Sequence, residues 1–145
     1  MRTLARFGAV ALAGLTLVAC GDDDATADAP EDVTAWCALI RDVDTQFDET
    51  DNSSDDLEVK QEHYEAIADD LERLQAGIGL VDSAYREDVG EALDLTLMIT
   101  DAFTGAEDYD DVEAAMAPIW EDAEYESTIS AAAPWIEKTC RVSID

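Results

Sequence analysis

The stretch Val33-Thr34-Ala35-Trp36-Cys37-Ala38-Leu39-Ile40-Arg41-Asp42-Val43-Asp44-Thr45-Gln46-Phe47 decides the fold. Val33, Trp36, Cys37, Ile40, Val43 and Phe47 recur at steps of three and four, which places them on one face of an α-helix. The same period runs on to the C-terminus, with no alternating strand pattern of any length. After a polar, acidic turn region over Asp48–Asp56, Leu57, Tyr64, Ile67, Ala68, Leu71, Leu74 and Ile78 form a second stripe that ends around Gly77 and Gly79. A third passes through Tyr85, Val89, Ala92, Leu93, Thr96, Ile99 and Phe103, with Asp82 and Ser83 as N-cap candidates and a stop near Gly105. Leu93 to Ile99 is apolar on more than one side, so this helix is expected at the centre. Tyr109, Val112, Ala115, Met116, Ile119, Trp120 and Ala123 make a fourth stripe, and Ile129, Ala132, Ala133, Ile136 and Cys140 a fifth. Pro118 and Pro134 fall inside these last two and are expected to kink or divide their helices.

The expectation is a small all-α bundle of four or five helices over residues 33–145, with one core and no internal repeat. Apolar stripes at this spacing are core, so Trp36, Trp120 and Trp135 are assigned to packing. Trp135 sits off the stripe of its own helix and is the tryptophan expected to be most exposed, hence a candidate partner contact.

Upstream, Arg2 and Arg6 supply a positive n-region, and Phe7 to Val18 is an apolar run too short to span a bilayer. Leu17-Val18-Ala19-Cys20 closes it. This stretch resembles bacterial lipoprotein signal peptides, whose lipobox, Leu-x-(Ala/Gly)-Cys, is matched at Leu17, Ala19 and Cys20. The resemblance implies cleavage after Ala19 (residues 1–19 being the signal peptide), a diacylglycerol thioether on Cys20, and an extracytoplasmic protein anchored in the cell membrane by lipid. Residues 20–32, with Asp22, Asp23, Asp24 and Asp28 and no large apolar side chain before Pro30, read as an acidic, disordered tether.

The leader holds two of the eight basic residues and none of the 36 acidic ones, so the remaining chain carries a net charge of −30. Lys60 and Lys138 are its only lysines. Such a field repels nucleic acid and anionic lipid headgroups. With Cys20 committed to lipid, Cys37 and Cys140 remain, and in an oxidising compartment they most simply pair. Free buried thiols or a redox pair are the alternatives, although the close Cys-x-x-Cys spacing of redox pairs is absent. A bridge between them joins the first helix to the last and closes the bundle. The layout also resembles small, uncharacterised actinobacterial helical lipoproteins with one disulfide, through the cysteine in Trp36-Cys37-Ala38 and the last helix ending in Thr139-Cys140-Arg141. That resemblance implies architecture and no activity.

No catalytic constellation stands out. His63 is the sole histidine and is expected on a solvated helix surface; neither a Gly-x-Ser-x-Gly elbow nor a His-Glu-x-x-His zinc pair is present. The protein is therefore expected not to be an enzyme. The acidic patches, Asp42 to Glu58, Glu107 to Glu113 and Glu121 to Glu126, read as solvated faces, the first two near helix N-termini where carboxylates relieve the dipole. A sharper reading is loose calcium binding through Asp48, Asp51, Asp55, Asp56 and Glu58, in a loop that lacks the EF-hand glycine and ligand spacing. Two function classes follow: a non-enzymatic envelope module meeting a basic partner protein through its acidic surface, or a binder of a small ligand or divalent cation in a pocket between helices.

Overall fold

The computed structural model describes residues 28–121 and 124–143. Cys20, the expected signal peptide and the expected tether up to residue 27 lie outside the described residues. The described residues form five α-helices and no strand: α1 (Val33–Asp51), α2 (Leu57–Ala76), α3 (Arg86–Thr104), α4 (Tyr109–Trp120) and α5 (Tyr125–Cys140), with a short 3-10 turn at Ile78–Leu80. The expected fold class is thus observed.

Carboxylates begin three of the helices. Asp32 accepts the amide of Ala35 at 2.8 Å, Asp56 that of Glu58 at 3.0 Å, and Asp108 those of Asp110 and Asp111 at 3.0 and 3.1 Å. Each satisfies orphan donors of a first turn and places negative charge at the positive end of the helix dipole. Asp82 caps no helix; it accepts the amide of Ala84 in the turn before α3, which starts at Arg86 behind Tyr85. Neither proline divides its helix. Pro118 stands two residues from the end of α4, where little helix remains to break, and α5 continues through Pro134.

Helix α1 runs further than the acidic turn region suggests. Thr50 is fully buried and donates its hydroxyl to the carbonyl of Gln46 at 2.7 Å. The Thr50 carbonyl accepts from the Ser53 hydroxyl at 2.7 Å and from the Lys60 ammonium at 3.3 Å, which closes the helix against α2. Asp42, Asp44, Asp48, Glu49 and Asp51 consequently lie along the second half of α1, toward its C-terminal end, and not at a helix N-terminus as expected.

Helix α3 is central, packing against α2, α4 and α5, while α1 packs on α2 and α5. The core is double rather than single. The main cluster joins α1, α2, α3 and α5, including Trp36, Ile67, Leu71, Leu74, Val89 and Ile136. A smaller one forms where α4 lies on α3, from Ala102, Val112, Met116 and Ile119. Phe103 packs against both. One helical period specifies an apolar face but not which neighbour covers it, so the single-core expectation had no means to separate α4.

Two tryptophans exchange the places expected of them. Trp135 is 8% exposed and meets Trp36 edge to face at a centroid distance of 5.3 Å, while Trp120, the last residue of α4, is 55% exposed. The face of α5 that turns inward carries Ala132, Trp135, Ile136 and Cys140. That choice is fixed by the bond between Cys37 and Cys140, whose Cα atoms stand 4.8 Å apart. Trp36 is completely buried and donates its indole N–H to the carbonyl of Leu74 at 3.1 Å. Next to it, Gly77 lets Pro30 approach: a Cβ there would fall 2.5 Å from Pro30 Cγ and 3.0 Å from Trp36 Cδ1. Arg73 also donates to the carbonyl of Asp28 at 3.3 Å, so residues 28–32, expected as the end of a disordered tether, instead pack on the body and cap α1.

Candidate functional site

The separation of the two clusters leaves a groove. It is bounded on one side by Phe47 of α1 and Tyr64 of α2, on the other by α4, and floored by α3, and it has a volume of about 1000 Å³. Six aromatic side chains line it: Phe47, Tyr64, Phe103, Tyr109, Trp120 and Tyr125. Three carboxylates, Asp51, Glu113 and Glu121, join them, and no lysine, arginine or histidine does so among the described residues.

The aromatic wall is built by packing. Tyr64 stacks on Phe103 with centroids 4.1 Å apart and planes 17° from parallel, and Phe47 meets Tyr64 edge-on at 6.1 Å. Trp120 and Tyr125 meet edge to face at 5.1 Å across the α4–α5 connection. Offset and edge-on pairs are the favoured geometries of ring quadrupoles. Tyr109 anchors the N-terminal end of α4 by donating its hydroxyl to the carbonyl of Asp55 at 2.8 Å. Gln61 holds the preceding turn, donating to the carbonyls of Phe103 and Ala106 at 3.0 and 2.8 Å.

Two of these phenols have raised pKa values. Burial pushes Tyr64 up to about 12, with the Asp51 carboxylate and Tyr109 adding to the shift. Burial also raises Tyr125. The groove is lined by aromatic side chains, with negative charge at its exposed carboxylates. Ring faces attract cations, and carboxylates beside them favour the same sign of ligand.

A second space, partly open to solvent, lies among the helices of the main bundle. It measures about 150 Å³ and is lined mostly by aliphatic side chains, among them Ile40, Val43, Leu71, Val89, Leu93 and Ile136. Asp44 and Thr96 are its polar members. Thr96 uses its hydroxyl on the carbonyl of Ala92 at 2.7 Å. Asp44 is held above the usual carboxylate range by desolvation and then by neighbouring Asp48. Phe47 and Thr96 line both spaces.

The residues singled out from sequence are distributed differently. Cys37 and Cys140 are bonded, and Cys20 lies outside the described residues. Asp48 and Asp51 sit in the last turns of α1, Asp55 in the following turn, Asp56 at the cap of α2 and Glu58 in its first turn. Among the described residues no three carboxylate, histidine or cysteine side chains gather into a group able to hold a metal ion. Asp51 instead belongs to the aromatic groove. His63 is half-buried, not solvated: its Nδ1 lies 3.4 Å from the Thr50 hydroxyl, because α2 packs that face against α1. The aromatic residues of the groove share no motif in the sequence, and Trp120 reads there as core packing, although Tyr109 and Trp120 stand beside Asp110 and Glu121.

No protein-family model matches this chain, and neither a curated protein nor a solved structure is detectably similar to it. Among the described residues no helix is long and apolar enough to cross a membrane.

Proposed function

We propose that this chain is a non-enzymatic binding protein, lipid-anchored through Cys20 on the extracytoplasmic face of the cell membrane, whose groove holds a small organic cation. One observation carries the reading: a groove of about 1000 Å³ is lined by six aromatic rings and three carboxylates. Aromatic walls recognise ammonium groups through their ring faces, each contact contributing about 0.5–2 kcal/mol. The strong negative charge of the chain raises the local concentration of cations and speeds their capture. The lipobox residues Leu17, Ala19 and Cys20 support the anchor.

The test is titration of the purified chain with benzyltrimethylammonium, read by tryptophan fluorescence. Trp120 is exposed whereas Trp36 and Trp135 are buried, so a bound cation acts first on Trp120 emission. Saturable 1:1 quenching that Trp120→Ala weakens several-fold supports the groove; a linear, unsaturable response rejects it. Cys20→Ala transfers the protein from the membrane to the soluble fraction if the anchor is real.

The exposure of Trp120 and Tyr109, 55% and 44%, favours a second reading, in which the groove docks a basic envelope protein. A lysine-rich peptide that displaces the probe at low salt, and loses this ability at high salt, supports that reading.

A further inference from the structure

The partly open aliphatic chamber of the bundle and the aromatic groove are neighbours that share lining side chains. Phe47 and Thr96 line both, and Phe47 reaches the groove wall through its edge-on contact with Tyr64. The two spaces differ sharply in chemistry. The groove is lined by aromatic side chains and carboxylates. The chamber is mostly aliphatic carbon, with the exposed Asp44 carboxylate and a Thr96 hydroxyl that donates to the carbonyl of Ala92. A largely apolar space of about 150 Å³ has the size to accept a hydrocarbon group about as large as benzene, which would give its walls dispersion partners.

We infer that the ligand is an amphipathic organic cation, an alkylammonium whose head sits among the groove aromatics and whose short aliphatic tail passes Phe47 and Thr96 into the chamber. The inference rests on the reading of the groove as a cation site and adds the class of molecule it takes. An anionic tail is repelled by the exposed Asp44 carboxylate, and the rest of the lining is largely aliphatic, so the chamber favours a hydrocarbon tail. The tail length is bounded because the chamber holds only a benzene-sized group. Ala132, 1% exposed on α5, forms part of the chamber wall, so enlarging it fills the space without touching the groove.

The experiment compares tetramethylammonium with its butyl-, hexyl- and decyltrimethylammonium relatives, all below micelle-forming concentration, by calorimetric titration of the purified full chain. Affinity is expected to rise about four-fold for each methylene that enters the chamber, and to level off once it is full. Ala132→Leu is expected to abolish that gain while leaving tetramethylammonium affinity unchanged, with circular dichroism melting to establish that the variant folds. Should Ala132→Leu fail to fold, the chain-length series on the unaltered protein still decides. If tetramethylammonium binds but lengthening the tail brings no gain, the amphipathic ligand is overturned and the cation groove survives. If no ammonium binds while hexanol does, the cation reading falls and the chamber is a site for neutral hydrocarbon. A gain that persists undiminished in folded Ala132→Leu places the tail elsewhere and overturns the inference.

Discussion

Tyr109 donates its hydroxyl to the main-chain carbonyl of Asp55 at 2.8 Å, bridging 54 positions of sequence. The bond joins the first residue of α4 to the turn that leads into α2, across one end of the aromatic groove. Tyr109→Phe keeps the ring and removes the bond. It is expected to lower stability by only about 0.5–1 kcal/mol, because Tyr109 is 44% exposed and water replaces the lost partner. Affinity for benzyltrimethylammonium falls more than this if the bond sets the width of the groove. Equal effects on melting and on affinity assign the bond to stability alone.

Alkaline pH should weaken the fold through Tyr64. Its folded-state pKa is raised from 10.0 to about 12 by burial first, then by Asp51 and Tyr109. Between those values the unfolded chain loses the phenolic proton and the folded chain keeps it, so stability is complete below pH 10 and is lost as pH rises toward 12. A shift of this size corresponds to about 2–3 kcal/mol. Chemical denaturation across that range checks it, and Tyr64→Phe should flatten the alkaline loss. An unchanged pH profile in Tyr64→Phe assigns the loss to other groups.

Removing the disulfide costs more than any surface change. The bond spans 103 positions and closes nearly the whole described body. The double substitution Cys37→Ala, Cys140→Ala is expected to destabilise by about 2–5 kcal/mol, chiefly by freeing the unfolded chain. Denaturant midpoints with and without reductant measure it: reductant should act on the native protein and leave the double variant unchanged.

Gly77 is required for close approach and not for an unusual backbone angle, since its φ is −90°. A methyl group there meets Pro30 Cγ at 2.5 Å and Trp36 Cδ1 at 3.0 Å. Gly77→Ala is expected to cost about 1–3 kcal/mol by overpacking. Adding Pro30→Ala should restore most of the loss, because the segment before α1 then gives way. No recovery in the double variant would mean that Trp36 is the side chain that cannot yield.

Much of this architecture is legible in the residue order. The three- and four-residue steps of Trp36, Ile40 and Val43 mark α1, and Gly105 marks the end of α3. The pairing of Cys37 with Cys140 follows from compartment and count once Cys20 is set aside. What fails to appear is whatever depends on which neighbour covers a face. Thr50 reads as loop chemistry yet is completely buried, because the turn after it satisfies its carbonyl through Ser53 and Lys60. Trp120 reads as core yet is exposed, because α4 ends there and lies on α3 without entering the main cluster. The groove has no sequence signature for the same reason. Its six rings come from all five helices, and only their assembly brings them together.

The bond near the start of α1 and at the end of α5 also decides what a protease can accomplish. The exposed turn around Ser54 and Asp55 is the natural place for a cut, and such a cut separates α1 from α2 in the backbone. Because the cut falls between Cys37 and Cys140, both pieces remain one covalent molecule, with α1 still held against α5. A nicked chain of this kind runs as a single band until a reductant is added, and only then divides in two.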